Sequence, residues 1–242
     1  MNLSPELQQR FDAATRAQDT YQPSDHVHQV IASKTLVMIV APAAMGKSYI
    51  ISRTTALDPQ ITQTISFSTR DPRSGDEGNM RTIPRDEQHV SSLLDLVEAG
   101  QVVNYAIFPT TGMLYGTDLS SYPGEISLMA TLANSVDTLR RTGFGRAITV
   151  GLIAPPATWR AWFDARFPVS TPEKTARLQE ALLSISWLLN DSDTRWLINR
   201  DGEADAVARE LIPLIQGTEA PLNEQALAYA HELRALITQM LG

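Results

Sequence analysis

The segment Ala41-Pro42-Ala43-Ala44-Met45-Gly46-Lys47-Ser48 holds the residues whose types and spacing most clearly imply chemistry. It reads as a small residue, four free positions and then Gly-Lys-Ser. An apolar run, Leu36 to Val40, precedes it, and a stretch with helical character follows from Lys47 to about Ala56. A chain that passes from strand to helix through such a loop turns successive backbone N–H groups inward. The helix N-terminus adds partial positive charge, and together they cradle the phosphates of a nucleoside triphosphate. In that geometry Lys47 reaches the β- and γ-phosphates and the Ser48 hydroxyl ligates Mg²⁺. ATP is the expected triphosphate, with Ala41, Pro42, Ala43, Ala44, Met45, Gly46, Lys47, Ser48 and Tyr49 as its contacts. Ala41 and Ala44 stand where glycine is common in such loops, and Ala44 leaves the backbone less freedom.

The elements that must position the loop follow from periodicity and punctuation. Ser4-Pro5-Glu6-Leu7 is a helix start, with Ser4 as N-cap and Pro5 at the first helical position, and the helix runs to about Gln18. Tyr21 to Asp25 breaks the pattern. Leu36 to Val40 is apolar on both faces, as a central parallel strand covered on both sides should be. Ile61 to Ser68 forms a second β-rich stretch, ending in the charged segment Thr69 to Asp76. A helix spans Asp86 to Ala99 and closes at Gly100; a strand spans Val102 to Phe108, with a turn at Thr110-Thr111-Gly112. Ile126 to Ala130 is a strand followed by helix through about Arg141. Ala147 to Ala154 is another two-faced strand, stopped by Pro155-Pro156 and followed by a helix bearing Trp159, Trp162 and Phe163. After a polar break from Arg166 to Pro172, a long helix runs from Glu173 to about Leu189. A strand at Arg195 to Asn199 and a helix at Glu203 to Gln216 follow. Beyond Gly217 to Pro221, a last amphipathic helix carries Leu222, Leu227, Leu233, Leu236, Ile237 and Met240. Alternating strands and helices predict an α/β three-layer sandwich around a central parallel sheet.

With the loop placed, the segments after it resemble the guanylate kinase family. Pro42 sits where that family has a proline in Gly-Pro-Ser-Gly-x-Gly-Lys-Ser. The family's Ser-x-Ser-x-Thr-Thr-Arg-x-Pro-Arg-x-Gly-Glu resembles Ser66-Phe67-Ser68-Thr69-Arg70-Asp71-Pro72-Arg73-Ser74-Gly75-Asp76. Glu98-Ala99-Gly100 with Val102 to Ala106 resembles its Glu-Ala-Gly-x-Phe-Leu-Glu-Trp-Ala, and Tyr115-Gly116-Thr117 its Tyr-Gly-Thr. Ile153-Ala154-Pro155-Pro156 resembles a strand end of the family. Arg166, Arg177 and Asn199 fall where it has two lid arginines and an asparagine near the adenine. The resemblance spans about Thr35 to Gln216. It implies a P-loop NTPase fold with an inserted acceptor-binding subdomain at about 66–122 and a mobile lid at about 164–176, within a domain of residues 35–217. That domain is flanked by a helical extension at 1–34 and a C-terminal helix at 218–242.

The implied activity is transfer of the γ-phosphoryl of ATP, with Mg²⁺, to a nucleoside 5′-monophosphate, GMP or dGMP being the first candidate. Lys47, Arg166 and Arg177 would be catalytic; Ser66, Arg70, Arg73, Asn104, Tyr115 and Thr117 would bind the acceptor. These assignments suit the chemistry, because phosphoryl transfer between two anions needs positioning and positive charge more than covalent help. Arg70 and Arg73 can grip a phosphate with planar forks, Tyr115 can donate its hydroxyl, and closing arginines exclude water. The chain departs from the family in three places. Asn104 replaces a glutamate that reads the guanine edge, Met80 to Thr82 lacks a phosphate-contacting tyrosine, and Ile126 to Asn134 lacks the Asp-x-Asp of the next core strand. An inactive binding module, and a kinase of another or modified monophosphate, therefore stay open beside the first reading, as does a kinase of a non-nucleotide phosphate.

Composition bounds the remainder. In 242 residues, 20 Lys+Arg against 27 Asp+Glu give a net charge of −7, which disfavours binding to polymeric nucleic acid. No cysteine is present, so disulfides and thiolate metal sites are excluded. The polar N-terminus and the short apolar runs predict neither a signal peptide nor a membrane span, hence a soluble, cytoplasmic monomer or homodimer. His26 and His28, without a third ligand nearby, are expected to hold no metal. Trp159, Trp162, Trp187 and Trp196 are expected in the core and between helices rather than under a base. The C-terminal helix is expected to pack on the core or to form a self-association face.

Overall fold

The two-faced apolar run becomes strand β1, Thr35–Val40, in which every residue from Leu36 to Val40 is buried. The computed structural model describes residues 3–72, 76, 78–108, 111–217 and 223–242. Arg73, Ser74 and Gly75, the first residue of the expected Thr110–Gly112 turn, the break from Thr218 to Pro221 and Leu222 lie outside the described residues.

Strand β1 lies at the centre of a five-stranded sheet. Its companions are β2 (Ile61–Gln63), β7 (Ile126–Thr131), β8 (Arg146–Ile153) and β9 (Arg195–Ile198), in the order β2-β7-β1-β8-β9. Strands β8 and β9 pair in parallel, with Gly151 opposite Trp196. A four-stranded sheet has the order β4-β3-β6-β5, built from β3 (Ser66–Ser68), β4 (Met80–Thr82), β5 (Val102–Ile107) and β6 (Leu114–Asp118). Here β3 pairs in parallel with β4 and antiparallel with β6, and β5 pairs antiparallel with β6. The helices are α1 (Pro5–Ala17), α2 (Asp25–Ile31), α3 (Lys47–Leu57), α4 (Glu87–Glu98), α5 (Ala133–Arg141), α6 (Pro156–Arg166), α7 (Pro172–Asn190), α8 (Ala204–Ile215) and α9 (Glu224–Leu241). This is the α/β class with a central sheet that the alternation predicts.

The chain divides into two compact units. One comprises residues 1–35, 62–127 and 138–146, and the other residues 36–61, 128–137 and 147–242. In the first unit, Phe67, Tyr105, Ile107 and Leu114 from one face of the four-stranded sheet meet Val90, Leu93, Leu94 and Val97 of α4 and Leu7, Phe11 and Ala14 of α1. The N-terminal helix is thus part of this unit's core. Arg10 strengthens the attachment with ion pairs to Asp95 at 2.6 Å and Glu98 at 2.9 Å, and the Tyr105 hydroxyl donates to Ala14 O. In the second unit, α9 buries Ala226, Ala230, Leu233 and Ile237 at helical spacing and packs against α7, α6 and β9. Packing within the unit is one of the two roles expected for this helix.

One local expectation needs correction, and two features carry no sequence signal. The single stretch Ile61 to Ser68 is two strands that enter different sheets, parted at Thr64-Ile65. Within the expected helical extension at 1–34, helix α2 starts at Asp25, the last residue of the expected break. Val27 and Ile31, four apart, are both buried, which supplies the packing that a polar sequence conceals. Strands β4 and β6 also carry no plain alternation. Met80-Arg81-Thr82 is held by pairing with β3, and β6 has a glycine at its centre because Phe67 demands it. A Cβ on Gly116 would lie 2.5 Å from the Phe67 ring.

Candidate functional site

The loop between β1 and α3 takes a shape that its sequence only partly favours. Gly46, the residue before α3, has φ +85°, and Ala44 has φ +64°, a conformation that L residues other than glycine seldom adopt. Two contacts from elsewhere in the same unit hold the loop. The Trp159 indole N–H donates to Ala43 O at 2.9 Å, and Asn199 Nδ2 donates to Met45 O at 2.9 Å. A Cβ at Gly46 would come within 2.9 Å of that same Asn199 nitrogen, so the glycine is required twice over.

Lys47 opens α3 and folds its ammonium back over the loop, donating to Ala41 O at 2.5 Å, with Pro42 O at 3.5 Å. Burial lowers its pKa to about 8. Glu180 works against that shift, and Arg166 and Arg177 add to it. The two arginines singled out for the lid therefore share the electrostatic field of the loop lysine. Arg166 is the last residue of α6, and Arg177 lies in α7 paired with Glu180 at 2.8 Å. Between them, Asp164 bridges the α6–α7 connection by pairing with Lys174 at 2.7 Å and Arg160 at 3.1 Å. Ser48 and Tyr49 are exposed on the first turn of α3, Tyr49 by 62%.

Beside the loop lies a cavity of about 450 Å³, lined among others by Gly46, Tyr49, Trp162 and Asn199. Arg53 and Asp205, also on its wall, pair at 2.5 Å and join α3 to α8. Trp159, as expected, is fully buried, stacked on Phe163 at 4.9 Å. Trp162 instead lines the cavity. Its neighbours in sequence gave no sign of this, because which face of α6 meets the loop is a tertiary matter. Glu180 was likewise missed: an acid three residues after an arginine reads as an ordinary helical pair.

Of the residues singled out for an acceptor, Ser66, Asn104, Tyr115 and Thr117 lie on the other face of the four-stranded sheet from Phe67 and Tyr105. Ser68 stands opposite Tyr115, Asn104 opposite Thr117 and Ala106 opposite Tyr115, while Ser66 lies two residues before Ser68 on the same face. Arg70 follows the end of β3, is only 8% exposed and is gripped by both oxygens of Asp76 at 2.6 and 2.7 Å. That pairing raises its pKa, with the Tyr115 hydroxyl also within reach of the guanidinium. Asn104 Oδ1 accepts a hydrogen bond from the Thr117 hydroxyl, whose oxygen lies 2.8 Å from the Tyr122 hydroxyl. Arg81, in the stretch without the family tyrosine, pairs with Asp118 at 2.7 Å.

No acid occurs in β7, whose sequence is Ile-Ser-Leu-Met-Ala-Thr. Among the described residues no group of three or more His, Cys, Asp or Glu is placed to hold a metal. A Mg²⁺ arriving on triphosphate oxygens, the usual manner for this ion, could be met by the exposed Ser48 hydroxyl next to the loop lysine. Also among the described residues, no helix is long and apolar enough to cross a membrane.

A strand, a phosphate-type loop and a helix inside an α/β sheet define the class: a P-loop nucleotide-binding fold. No family model matches the chain. Among curated proteins it is similar to the guanylate kinase of Prochlorococcus marinus (strain MIT 9312), 25% identical over 188 residues, 76% of this chain and 97% of the relative. It is also similar to that of Xanthomonas euvesicatoria pv. vesicatoria (strain 85-10), 36% identical over 75 residues, 30% of this chain and 34% of the relative. A solved guanylate kinase from Anaplasma phagocytophilum matches with a TM-score of 0.46 at 16% identity, covering 78% of this chain and 86% of that one. Together the curated matches support a divergent guanylate-kinase-like member.

Proposed function

We propose that the chain is a nucleoside monophosphate kinase, which transfers the γ-phosphoryl of Mg-ATP to a nucleoside 5′-monophosphate. The observation that carries this reading is Lys47 at the start of α3, its ammonium folded back onto Ala41 O and Pro42 O and within electrostatic reach of Arg166 and Arg177. Such a grouping suits a triphosphate whose terminal group develops charge as it leaves.

In this reading ATP lies on the unit that holds the loop, its base towards Tyr49 and Asn199, with Lys47 drawn off Ala41 O onto phosphate. The acceptor lies on the polar face of the four-stranded sheet, its phosphate at Arg70 and Tyr115, joined by Arg73. Ser48 takes Mg²⁺, whose chemistry is to bridge and neutralise phosphate oxygens. Residues 164–176 act as the lid, carrying Arg166 beside its hinge pair Asp164–Lys174. ATP and a monophosphate are the partners, with no polymeric nucleic acid. The relatives' names make GMP and dGMP the first acceptors to test.

The test is ADP release from Mg-ATP over all natural ribo- and deoxyribonucleoside monophosphates. At least one acceptor should be converted, and Lys47→Ala should abolish conversion. The acid-free β7 favours a second reading, a binding module that has lost turnover. Binding of ATP and a monophosphate with no conversion by any member of the panel would select it.

A further inference from the structure

In a planar trans peptide the C=O and the N–H point in opposite directions. A carbonyl that is tied down therefore aims the next residue's N–H the other way. Two carbonyls of the β1–α3 loop are tied in this manner. The Trp159 indole N–H donates to Ala43 O at 2.9 Å, and Asn199 Nδ2 donates to Met45 O at 2.9 Å. The N–H groups of Ala44 and Gly46 are thus turned away from these donors, and among the described residues neither meets an acceptor.

The two positions differ in what the tie has to overcome. Glycine visits positive φ about as readily as negative, so Gly46 at φ +85° needs little help. Alanine is drawn to negative φ, and Ala44 at φ +64° must be held. Relaxation about its N–Cα bond would swing the preceding peptide round and carry Ala43 O off the indole. Trp159 is well placed to resist. Its ring is fully buried and stacked on Phe163 at 4.9 Å, one turn further along α6, and Phe163 meets Phe167 at 5.0 Å. A ring so packed cannot turn to follow a departing carbonyl, and its N–H would be left without an acceptor in the interior.

We propose that Trp159 is a positioning residue for the triphosphate: by tying Ala43 O, its indole N–H keeps Ala44 in the left-handed shape that aims the loop's N–H groups at the phosphates. The inference rests on reading the loop as the ATP site. It adds to that site a residue from another element, on the helix that ends in Arg166. Without the tie, the alanine loop spends most of its time relaxed, and apparent affinity falls in proportion to the fraction that keeps the binding shape.

The test is titration calorimetry with Mg-ATP, and separately with inorganic tripolyphosphate, on the full chain and its variants. Trp159→Phe keeps an aromatic ring beside Phe163 and removes the N–H. It should weaken both ligands about tenfold. Glycine at position 44 takes the shape unaided, so in the Ala44→Gly background the same change should cost no more than about threefold. A ring that served packing alone would show no such rescue. Hydrogen exchange of the loop amides in the ligand-free protein should quicken in Trp159→Phe and slow again in the double variant. Should Trp159→Phe not fold, benzothienylalanine at position 159 keeps both rings, with sulfur in place of the N–H, and answers the same question. Affinity or exchange unmoved in Trp159→Phe overturns the proposal. So does an equal loss in the Ala44→Gly background, or a loss for ATP without one for tripolyphosphate. The expected pattern with no monophosphate converted sinks the kinase reading alone. A wild type that binds neither ligand sinks the reading of the loop, and this proposal with it.

Discussion

Lys47 shows how one side chain can be partly buried and still ready for an anion. Its ammonium rests on loop carbonyls, and burial brings its pKa down to about 8 from an ordinary 10.5. The folded protein thus gives up this proton at a lower pH than the unfolded chain does. Between about pH 8 and 10.5 the unfolded state binds more protons, so this group's effect on folding stability improves as pH rises. Below about 8 the cost of burying the charge is felt in full. Binding of the triphosphate runs in the opposite direction, because only the ammonium form attracts it. ATP affinity should therefore weaken as pH rises through about 8, by up to roughly tenfold per unit. In Lys47→Arg, whose charge persists, the profile should stay flat across this range. Titration calorimetry from about pH 7 to 10 reads the difference.

Ala44 tells a complementary story. Held at φ +64°, it carries a strain of about 1 kcal/mol or more that glycine would not. Ala44→Gly should accordingly raise stability by ~0.5–1 kcal/mol, measured as a higher urea midpoint at unchanged slope.

Among the elements, α9 holds α7, and α7 carries Arg177, Glu180 and Lys174. Leu233 is fully buried, so Leu233→Ala should cost ~2–5 kcal/mol in urea unfolding. If α9 were only a loosely attached tail, the loss would be a few tenths of that.

The same elements show how far a single sequence can be read. Strands apolar on both faces, read at Leu36–Val40 and Ala147–Ala154, declared themselves, as did helices with clear punctuation such as the one closed by Gly100. The bend of the β1–α3 loop was legible for the same reason: a backbone shape that needs Gly46 leaves little choice of residue. What stayed hidden depended on partners far along the chain. Strand β4 exists through pairing with β3, and α2 through two buried residues in a polar setting. The opposite faces of the four-stranded sheet separate the Phe67–Tyr105 core from Asn104 and Tyr115, yet the bulge between Val102 and Asn104 upsets the alternation that would have announced it. Trp159 looked like packing and is packing, but its indole N–H also holds the loop. A donor on a buried ring has no signature in sequence, since only the fold decides which carbonyl it meets.

Across the whole molecule, the two units are interleaved in sequence. The first is assembled from three stretches, and the chain passes from one unit to the other after residues 35, 61, 127, 137 and 146. A single cut therefore cannot separate the unit with Lys47 from the unit with Asn104 and Tyr115. The order of synthesis is also constrained. The described residues of the unit with Arg70, Asn104 and Tyr115 are all made once Arg146 has left the ribosome, whereas the unit with Lys47 must wait for α9. Until then the loop's flanking strand and helix lack their later partners. A nascent chain of this protein would thus hold the described residues of the unit around Asn104 and Tyr115 before it had those that complete the surroundings of the β1–α3 loop.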